Sequence, residues 1–357
     1  MNFMVAFFYF KTRDIMAQEF KSIQSVGREG LIDQITGYES HTNQSTIKGI
    51  GDDAAVLKKD EKSYSLISSD TFVEGVHFDI TYTPLHHLGY KIVSAAVSDI
   101  YAMNGKPTSV LINIAVPNRQ SVQMIDDLYK GIYSAGFDNE VEVVGGDITP
   151  NHNNMVISVT AYGEVESKSI TYRSGAKQGD AICVTGDLGA AIAGLRILMR
   201  EKKFWEEHGS EAAQPDLSEY EFVVKRQLVP GARKNLIEAL KKHSIIPSSM
   251  IDVTQGLVNE VSQLAKASGL GAYLYQAAIP VAVETRHVAD EMQEDVDRYA
   301  LFGGEDLEII FTLPEKEVEA FVEQFNDFSV VGRMVPKEDG MKMQTAEGDV
   351  ISFDDLS

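Results

Sequence analysis

The stretch AICVTGDLGAAIAGLRILM, residues 181–199, predicts a strand, a turn and a helix in immediate succession. Ala181 to Val184 form a short apolar run, as in a buried strand. Thr185-Gly186-Asp187 has the composition of a turn, and small and apolar residues then recur at helical spacing from Leu188 to Met199. Strands that alternate with helices are typical of an α/β chain.

The same alternation extends along most of the sequence. The remaining predicted strands are Tyr64–Ile67, Ser109–Val116, Val141–Val144, Met155–Val165, Met250–Ile251, Phe328–Met334 and Val350–Phe353, and the remaining helices are Leu88–Met103, Val122–Ser134 and one that starts near Gly256. Ligands in α/β folds bind at the carboxyl ends of strands. The small and acidic residues that follow these strands are therefore candidate site residues.

The length of 357 residues is enough for about two domains. We predict an N-terminal extension over residues 1–24, a first domain over 25–166 and a second domain over 167–357, with a polar surface insertion at Glu201–Glu219. The apolar run Phe3–Phe10 is too short for a bilayer, which takes about 18 residues, and it lacks the flanks of a signal peptide. Residues 1–15 read as the product of an upstream start codon or as a loosely packed extension, with Met16 as the alternative start.

The charge balance excludes two classes of partner. Lys and Arg total 32 and Asp and Glu total 53, so the formal net charge is −21. Nucleic acids and anionic lipids are bound mainly through Lys and Arg, so neither a nucleic acid nor a membrane is an expected partner. The single Cys183 excludes an intrachain disulfide and favours a reducing, cytoplasmic location.

The common nucleotide-binding motifs are missing from the sequence. It contains neither the G-x-x-x-x-G-K-[ST] of P-loop proteins nor the H-R-D and D-F-G of protein kinases. Gly49-Ile50-Gly51-Asp52-Asp53-Ala54 matches G-x-G-x-x-A formally, but its two aspartates would repel a pyrophosphate. A phosphate ligand would therefore have to be bound through divalent cations.

Acidic residues at turns and strand ends predict such a cation site. Asp52-Asp53 lies in a glycine-led turn, Asp70 and Asp252 end predicted strands, and Asp147 follows two glycines after another. Asp99 shares a helix face with Ile92, Ala95, Ala96 and Met103, where an unpaired charge would be costly. Any one of these aspartates alone is more often a turn former or a helix cap, so the hypothesis depends on the set. Oxygen ligands without Cys or His clusters favour Mg²⁺.

Two further residues are candidates for contacts to an anion. Thr254 precedes the helix that starts near Gly256 and is predicted to cap it, which would place helix N–H groups beside a phosphate. Arg173, in Tyr172-Arg173-Ser174-Gly175-Ala176, is the basic residue best placed to contact an anion, with a solvated surface Arg as the alternative.

Several short motifs occur together in a characteristic order. The motifs are Gly49-Ile50-Gly51-Asp52-Asp53-Ala54-Ala55, Ser69-Asp70-Thr71 through Gly75-Val76-His77-Phe78, Ser98-Asp99, Ala102-Met103, Gly145-Gly146-Asp147, Arg173-Ser174-Gly175-Ala176 and Phe302-Gly303-Gly304-Glu305-Asp306. The set resembles the thiamine-monophosphate kinase family, within the aminoimidazole ribonucleotide synthetase superfamily, from about Ser25 to about Leu313.

The resemblance implies a two-domain PurM-like α/β (α+β) fold, in which the N-terminal sheets of two subunits pair into a barrel across a homodimer. It also implies transfer of the γ-phosphoryl group of ATP to thiamine monophosphate, assisted by several Mg²⁺ ions. A phosphate acceptor is already ionised near neutral pH, so no catalytic general base is expected. The residues assigned by motif correspondence are Asp53, Ser68, Ser69, Asp70, Asp99, Asp147, Asp252 and the Gln255 position for metal, Gly146, Asp147, Arg173 and Thr254 for ATP, and His77 and Glu305 for thiamine monophosphate.

The sequence departs from the family pattern in two places. The pattern Asp-x-Ser-Asp-Gly-Leu occurs as Asp252-Val253-Thr254-Gln255-Gly256-Leu257, so Gln255 replaces a metal-binding carboxylate. We hypothesise a weaker Mg²⁺ site and slower turnover. The aromatic residue expected near the C-terminus is not obvious, although Phe353 is a candidate.

Two alternatives remain open at this stage. One is a related enzyme that acts on another small molecule, and the other is a catalytically silent nucleotide-binding homologue. Selenophosphate synthetases need a reactive residue in an N-terminal loop and the hydrogenase-maturation relatives need a C-terminal cysteine. Cys183 meets neither requirement, because it lies mid-chain in a predicted strand.

Overall fold

The computed structural model describes residues 22–38, 43–209 and 215–356. By its internal contacts the chain divides into two units, Met1–Gln44 and Ser45–Ser357. The first unit contains helix α1 (Ile23–Thr36), which starts at Ser22, where the side chain accepts a hydrogen bond from the backbone N–H of Ser25. Gly27 interrupts this helix with a φ of 69°. The run Phe3–Phe10 and Met16 lie outside the described residues.

A first sheet of six strands occupies residues 46–166. Its order is β1-β2-β3-β6-β4-β5, and neighbours run antiparallel except for the parallel pair β4 and β5. The strands are β1 (Thr46–Lys48), β2 (Ala55–Lys58), β3 (Ser63–Val73), β4 (Lys106–Pro117), β5 (Glu142–Asn151) and β6 (Val156–Glu166).

A second sheet of seven strands follows in the order β13-β12-β9-β11-β7-β10-β8. It is also mixed, because β12 runs parallel to β9 while the other pairs are antiparallel. Its strands are β7 (Ala181–Thr185), β8 (Ser249–Asp252), β9 (Gly271–Tyr275), β10 (Ile309–Leu313), β11 (Phe328–Val335), β12 (Met341–Gln344) and β13 (Val350–Ser352).

Helices pack on both sheets and complete their cores. Helix α2 (Leu85–Ala102) buries Ile92, Ala96 and Ile100 completely, and it contacts both the first sheet and β8. The other helices are α3 (Val122–Asn139), α4 (Ala190–His208), α5 (Glu221–Leu228), α6 (Lys234–His243), α7 (Leu257–Ser268), α8 (Val283–Met292), α9 (Val296–Phe302) and α10 (Glu315–Val322). Short 3₁₀ turns occur at Ser218–Tyr220, Gln276–Ala278, Lys337–Asp339 and Phe353–Asp355.

The approach of α2 to α3 depends on residues without side chains. A Cβ on Gly131 would lie 1.8 Å from the carbonyl oxygen of His86, and one on Gly89 would lie 2.0 Å from that of Leu128. Such distances are impossible without moving backbone, so the two glycines let the helices touch. This contact fixes α2, and α2 carries Asp99.

Each predicted strand and helix is present, but three boundaries were wrong. β3 and β5 continue through the polar motifs that were predicted to follow them, so Asp70 and Asp147 lie within strands. Alternate side chains of a strand face opposite sides of the sheet. Because one face of these strands is largely polar, their second halves have the composition of a loop. Helix α4 continues to His208, so Glu201–His208, part of the predicted insertion, is helical.

The first sheet ends at Glu166 and the second begins at Ala181. The domain limits 1–24, 25–166 and 167–357 stay a prediction. No helix in the described part of the chain has the length and apolar composition needed to cross a membrane.

Candidate metal centre and adjoining cleft

Three carboxylates from separate elements meet at one point. Asp53 lies in the loop between β1 and β2, Asp99 on α2, and Asp252 at the last residue of β8. One ligand oxygen from each lies within 4.8 Å of those of the other two. We call these three residues the acidic cluster. It joins the second sheet, through β8, to the first.

Holding these carboxylates together costs electrostatic free energy. Burial raises the pKa of Asp99 well above its usual range, and the charges of Asp252 and Asp70 raise it further. Burial and the charge of Asp53 have the same effect on the pKa of Asp252. Burial also raises the pKa of Asp53, although the guanidinium of Arg173 opposes the rise. Like charges in a buried site favour binding of a cation.

The oxygens of the acidic cluster fit a divalent cation. Oδ2 of Asp53 and Oδ2 of Asp252 are buried without a hydrogen-bond partner among the described residues, as is Oδ2 of Asp52. Burial and the charge of Asp53 raise the pKa of Asp52 to about 6. Buried carboxylate oxygens are costly unless a donor or a cation satisfies them. Hard oxygen ligands suit Mg²⁺, so the donor set matches the predicted metal.

Arg173 borders the acidic cluster. Its Nε and Nη2 donate to Oδ1 of Asp53 at 3.1 and 2.5 Å, and its Nη1 donates to Oε1 of Gln263 at 2.6 Å. Its backbone N–H donates to Oδ1 of Asp52 at 3.1 Å. The alternative of a solvated surface Arg is therefore wrong, because only 23% of its side chain is exposed.

The predicted ligands on β3 face two directions. Ser68 is buried and its hydroxyl donates to the carbonyl of Ala96 on α2 at 3.3 Å. Asp70, two residues along, lies close enough to Asp99 for its charge to raise the pKa of that residue. The hydroxyl of Ser69 lies on the other face, 3.1 Å from that of Thr160 on β6. Ser68 and Asp70 therefore adjoin the acidic cluster, and the side chain of Ser69 does not.

Gly146 and Asp147 lie apart from the acidic cluster. In register, Asp70 pairs with Val159, Val159 with Ile112, and Ile112 with Gly146. Three strand spacings of about 4.8 Å place Gly146 about 14 Å from Asp70. Asp147 follows on the opposite, exposed face of β5.

Close backbone approach explains the glycine at position 146. Its φ is 152°, and a Cβ there would lie 1.7 Å from the carbonyl oxygen of Ile112. Glycine is therefore required for β5 to pair with β4 in this register.

The segment after β8 differs from its prediction. Helix α7 is capped by Gly256, so the expected capping role of Thr254 is wrong. The hydroxyl of Thr254 instead donates to Oε1 of Glu260 at 3.3 Å. The side chain of Gln255 is exposed, and its amide oxygen accepts a hydrogen bond from Nδ2 of Asn259 on α7 at 2.8 Å.

Glu260 was missed by the sequence reasoning. It is buried in the first turn of α7, and burial raises its pKa to about 7. Its position in the first turn of a helix, eight residues after Asp252, could have indicated a site residue. Acidic residues are common in first turns, however, because they interact favourably with the helix dipole.

His77 and Glu305 lie in loops beyond the acidic cluster. His77 is exposed in the turn after β3, where its Nδ1 accepts from the backbone N–H of Val73 at 3.0 Å. Glu305 follows α9 with a φ of 65° and forms a salt bridge with Lys91, a buried residue of α2. Nζ of Lys91 also donates to the carbonyl of Gln227 at 3.0 Å.

A cleft with aromatic walls adjoins this region. Its volume is about 370 Å³, and its walls include Tyr82, Phe204, Trp205 and Leu198. Lys202, also in the wall, forms a salt bridge of 2.6 Å with Asp79. Burial raises the pKa of Tyr82, and the charges of Asp79 and Glu305 add to that rise, which places Glu305 near the cleft. No local motif indicates this cleft, because Tyr82 lies far along the chain from Phe204 and Trp205.

Comparison with known proteins identifies the family. Residues 51–165 match the family described as AIR synthase related protein, N-terminal domain, and residues 177–342 match the corresponding C-terminal domain. A thiamine-monophosphate kinase of Aquifex aeolicus is 32% identical over 326 residues, which cover 90% of this chain and 97% of that protein. The chain belongs to the thiamine-monophosphate kinase family. The Bacillus subtilis member is 30% identical over 297 residues, covering 82% of this chain and 86% of the relative.

Solved structures support the same family. The structure described as AaThiL complexed with AMPPCP and TMP superposes with a TM-score of 0.77 at 30% identity, covering 93% of this chain and 98% of that one. Another thiamine monophosphate kinase structure, from Aquifex aeolicus, gives a TM-score of 0.72 at 27% identity, with 90% and 98% coverage. A hydrogenase maturation protein HypE in complex with ATP gives 0.65 at 18% identity over 83% of this chain and 86% of that one, which shows a shared fold alone.

For this member of the thiamine-monophosphate kinase family we predict that Asp252→Asn stabilises the metal-free protein. The substitution removes one of three repelling carboxylates and should raise the free energy of unfolding by about 1 to 2 kcal/mol near pH 8. The gain should shrink as the pH falls, because the raised pKa of Asp252 lets the folded wild type take up a proton before the unfolded chain does. Denaturant unfolding in EDTA measures this difference.

The same variant should lose its response to Mg²⁺. Millimolar Mg²⁺ should raise the melting temperature of the wild type and of the exposed control Asp290→Asn, but not that of Asp252→Asn. An equal shift in all three proteins would show that Mg²⁺ binds elsewhere.

Proposed function

We propose that this protein phosphorylates thiamine monophosphate with ATP, giving thiamine diphosphate and ADP. The observation that carries the proposal is the acidic cluster of a thiamine-monophosphate kinase homologue. The cluster brings together carboxylates from the loop between β1 and β2, from α2 and from β8, and buried oxygens of Asp53 and Asp252 have no hydrogen-bond partner among the described residues. The relatives carry that activity in their names, and one related structure was described with AMPPCP and TMP.

The residues of the acidic cluster suit direct phosphoryl transfer. An oxygen of the acceptor phosphate attacks the γ-phosphorus of ATP, and the bond from that phosphorus to the bridging oxygen of ADP breaks. The acceptor is already ionised near neutral pH, so no side chain has to remove a proton. Bound Mg²⁺ supplies charge neutralisation between the phosphates and alignment of the attack.

Asp53, Asp99 and Asp252 would hold Mg²⁺, with the side chains of Ser68 and Asp70 beside them on β3. The hydroxyl of Ser69 faces away, so a metal role for Ser69 would fall to its backbone. Arg173 and Thr254 lie at the edge of this group and would contact the nucleotide, since Arg173 presents a guanidinium to an otherwise anionic site.

The cleft suits the organic part of the acceptor. Thiamine is an aromatic cation, which aromatic walls and nearby carboxylates attract. The rise of a helix places Lys91, the partner of Glu305, about 12 Å from Asp99 along α2. An extended thiamine monophosphate has a similar length. We therefore place its rings against Trp205 and its phosphate at the acidic cluster, with Glu305 between them. His77 is assigned to the same ligand by motif correspondence.

We propose that the protein is a homodimer joined through β5. This strand lies at a sheet edge and pairs only with β4 among the described residues. Val144 and Ile148 on it are 57% and 63% exposed. A long apolar edge strand readily pairs with a second chain. Gly146 and Asp147 lie on this strand, so contacts from them to the nucleotide would lie beside the proposed interface between two copies.

The remaining expectations are part of the same proposal. ATP as co-substrate and the single buried Cys183 support a cytoplasmic location. We retain the division into residues 25–166 and 167–357, which separates the two sheets.

The first test is release of ADP from ATP and Mg²⁺. Thiamine monophosphate should stimulate release, whereas thiamine and aminoimidazole-type substrates should not. Stimulation by a different acceptor would favour the related-enzyme alternative. Nucleotide binding without ADP release for any acceptor would favour the silent homologue, which the neutral Gln255 keeps open.

Trp205→Ala should weaken acceptor binding. We expect KM for thiamine monophosphate to rise about tenfold, because a stacked cation loses about 1 kcal/mol or more, while KM for ATP stays within about twofold. Phe137→Ala, an exposed aromatic on α3, is the matched control. Unchanged steady-state kinetics in Trp205→Ala would remove the cleft from the acceptor site.

Gln255→Asp should tighten the metal site. Restoring the carboxylate of the family pattern should lower the Mg²⁺ concentration for half-maximal rate by about threefold or more and raise kcat. Asn259→Ala, which removes the partner of the Gln255 side chain without adding charge, is the control. If Gln255→Asp leaves both the Mg²⁺ requirement and the rate unchanged, the hypothesis of a weakened site is wrong.

Ile148→Glu should separate the dimer. A carboxylate on the β5 edge would be buried at the interface, so sedimentation at micromolar concentration should give the mass of one chain for the variant and of two for the wild type. A wild type that sediments as one chain contradicts the proposed dimer.

A further inference from the structure

Glu260 is the centre of a buried hydrogen-bond relay. The residue is 1% exposed, and both of its carboxylate oxygens accept hydrogen bonds. Oε1 accepts from the backbone N–H of Gln255 at 2.9 Å and from the hydroxyl of Thr254. Oε2 accepts from Nε2 of Gln263 at 2.8 Å.

The relay continues to the acidic cluster through Arg173. Oε1 of Gln263 accepts from Nη1 of Arg173 at 2.6 Å, while Nε and Nη2 of the same guanidinium donate to Asp53. One end of the relay thus holds the Thr254-Gln255 loop, and the other end holds Arg173 and Asp53.

The direction of each bond in the relay is determined by chemistry. A guanidinium only donates, so Gln263 must turn its amide oxygen to Arg173 and therefore its amide nitrogen to Glu260. A neutral amide at position 260 can be oriented in two ways. Its nitrogen would face the amide nitrogen of Gln263, so that two donors meet, or it would face the backbone N–H of Gln255, which would then lack an acceptor. Either result leaves a buried group unsatisfied, which is costly.

We propose that Glu260 is a positioning residue for the nucleotide, which it aligns without contacting it. It orients Arg173 through Gln263 and orients the Thr254-Gln255 loop directly. This inference rests on the proposed function, which assigns Arg173 and Thr254 to the nucleotide. It also adds a function to α7 that no motif in the sequence indicates.

The test measures binding of AMPPCP with Mg²⁺ by titration calorimetry, together with steady-state kinetics. Glu260→Gln should weaken AMPPCP binding about tenfold or more and raise KM for ATP, with KM for thiamine monophosphate within about twofold. A merely structural role would lower the melting temperature without this division between the two substrates.

The decisive variant exchanges the two side chains of the relay. In Glu260→Gln/Gln263→Glu, the amide at 260 accepts from Gln255 and donates to the new carboxylate, which accepts from Arg173, so every donor again has an acceptor. Binding should return to within about threefold of the wild type, although each single substitution impairs it. Glu319→Gln, exposed on α10, is the matched control.

Three outcomes overturn the inference. Normal AMPPCP binding by Glu260→Gln would refute the positioning role of Glu260 but not the proposed function. A folded double variant that binds AMPPCP no better than the single variants would do the same. Failure of the wild type to bind AMPPCP would refute the proposed function as well. Should Glu260→Gln fail to fold, Gln263→Met interrupts the same relay at its second member and is read by the same criteria.

Discussion

Mutual repulsion among Asp53, Asp99 and Asp252 is the constraint on which the rest of the site depends. Three acidic side chains within 4.8 Å are stable only where the surrounding fold holds them there. Asp99 is held by α2, which packs tightly on α3 at Gly89 and Gly131. Burial leaves the cluster with a strong electrostatic preference for a cation.

The polar residues around the acidic cluster reduce the electrostatic repulsion among its carboxylates without cancelling it. Among the described residues, Arg173 forms its salt bridge with Asp53, while burial and neighbouring carboxylates keep the pKa values of Asp99 and Asp252 raised. Glu260 adds a further buried carboxylate but has each oxygen satisfied by donors. The site thus contains two kinds of buried carboxylate. Asp53 and Asp252 have buried oxygens without a hydrogen-bond partner among the described residues, whereas both oxygens of Glu260 accept hydrogen bonds from neighbouring residues.

Two surfaces beyond the acidic cluster, the edge strand β5 and the aromatic cleft, differ in character. β5 is an exposed edge with apolar residues, as expected for a strand that pairs with another chain. The cleft has aromatic walls close to Glu305. Asp99 of the acidic cluster and Lys91, the partner of Glu305, lie about 12 Å apart along α2, so the proposed phosphate site is separate from the cleft near Glu305.

Local sequence patterns determined the element types and the acidic residues at turns. They also placed Asp99 on an apolar helix face, since periodicity and turn composition are local properties. They failed for the continuation of β3 and β5, because a strand with one polar face reads as a loop. Only the tertiary structure decided that Asp252 meets Asp53 and Asp99. It also decided that Asp147 on β5 lies three strands away from Asp70 on β3, and that Glu260 reaches Arg173 through Gln263. Those relations depend on strand order, register and helix packing, which join residues far apart in the chain and leave no local pattern in it.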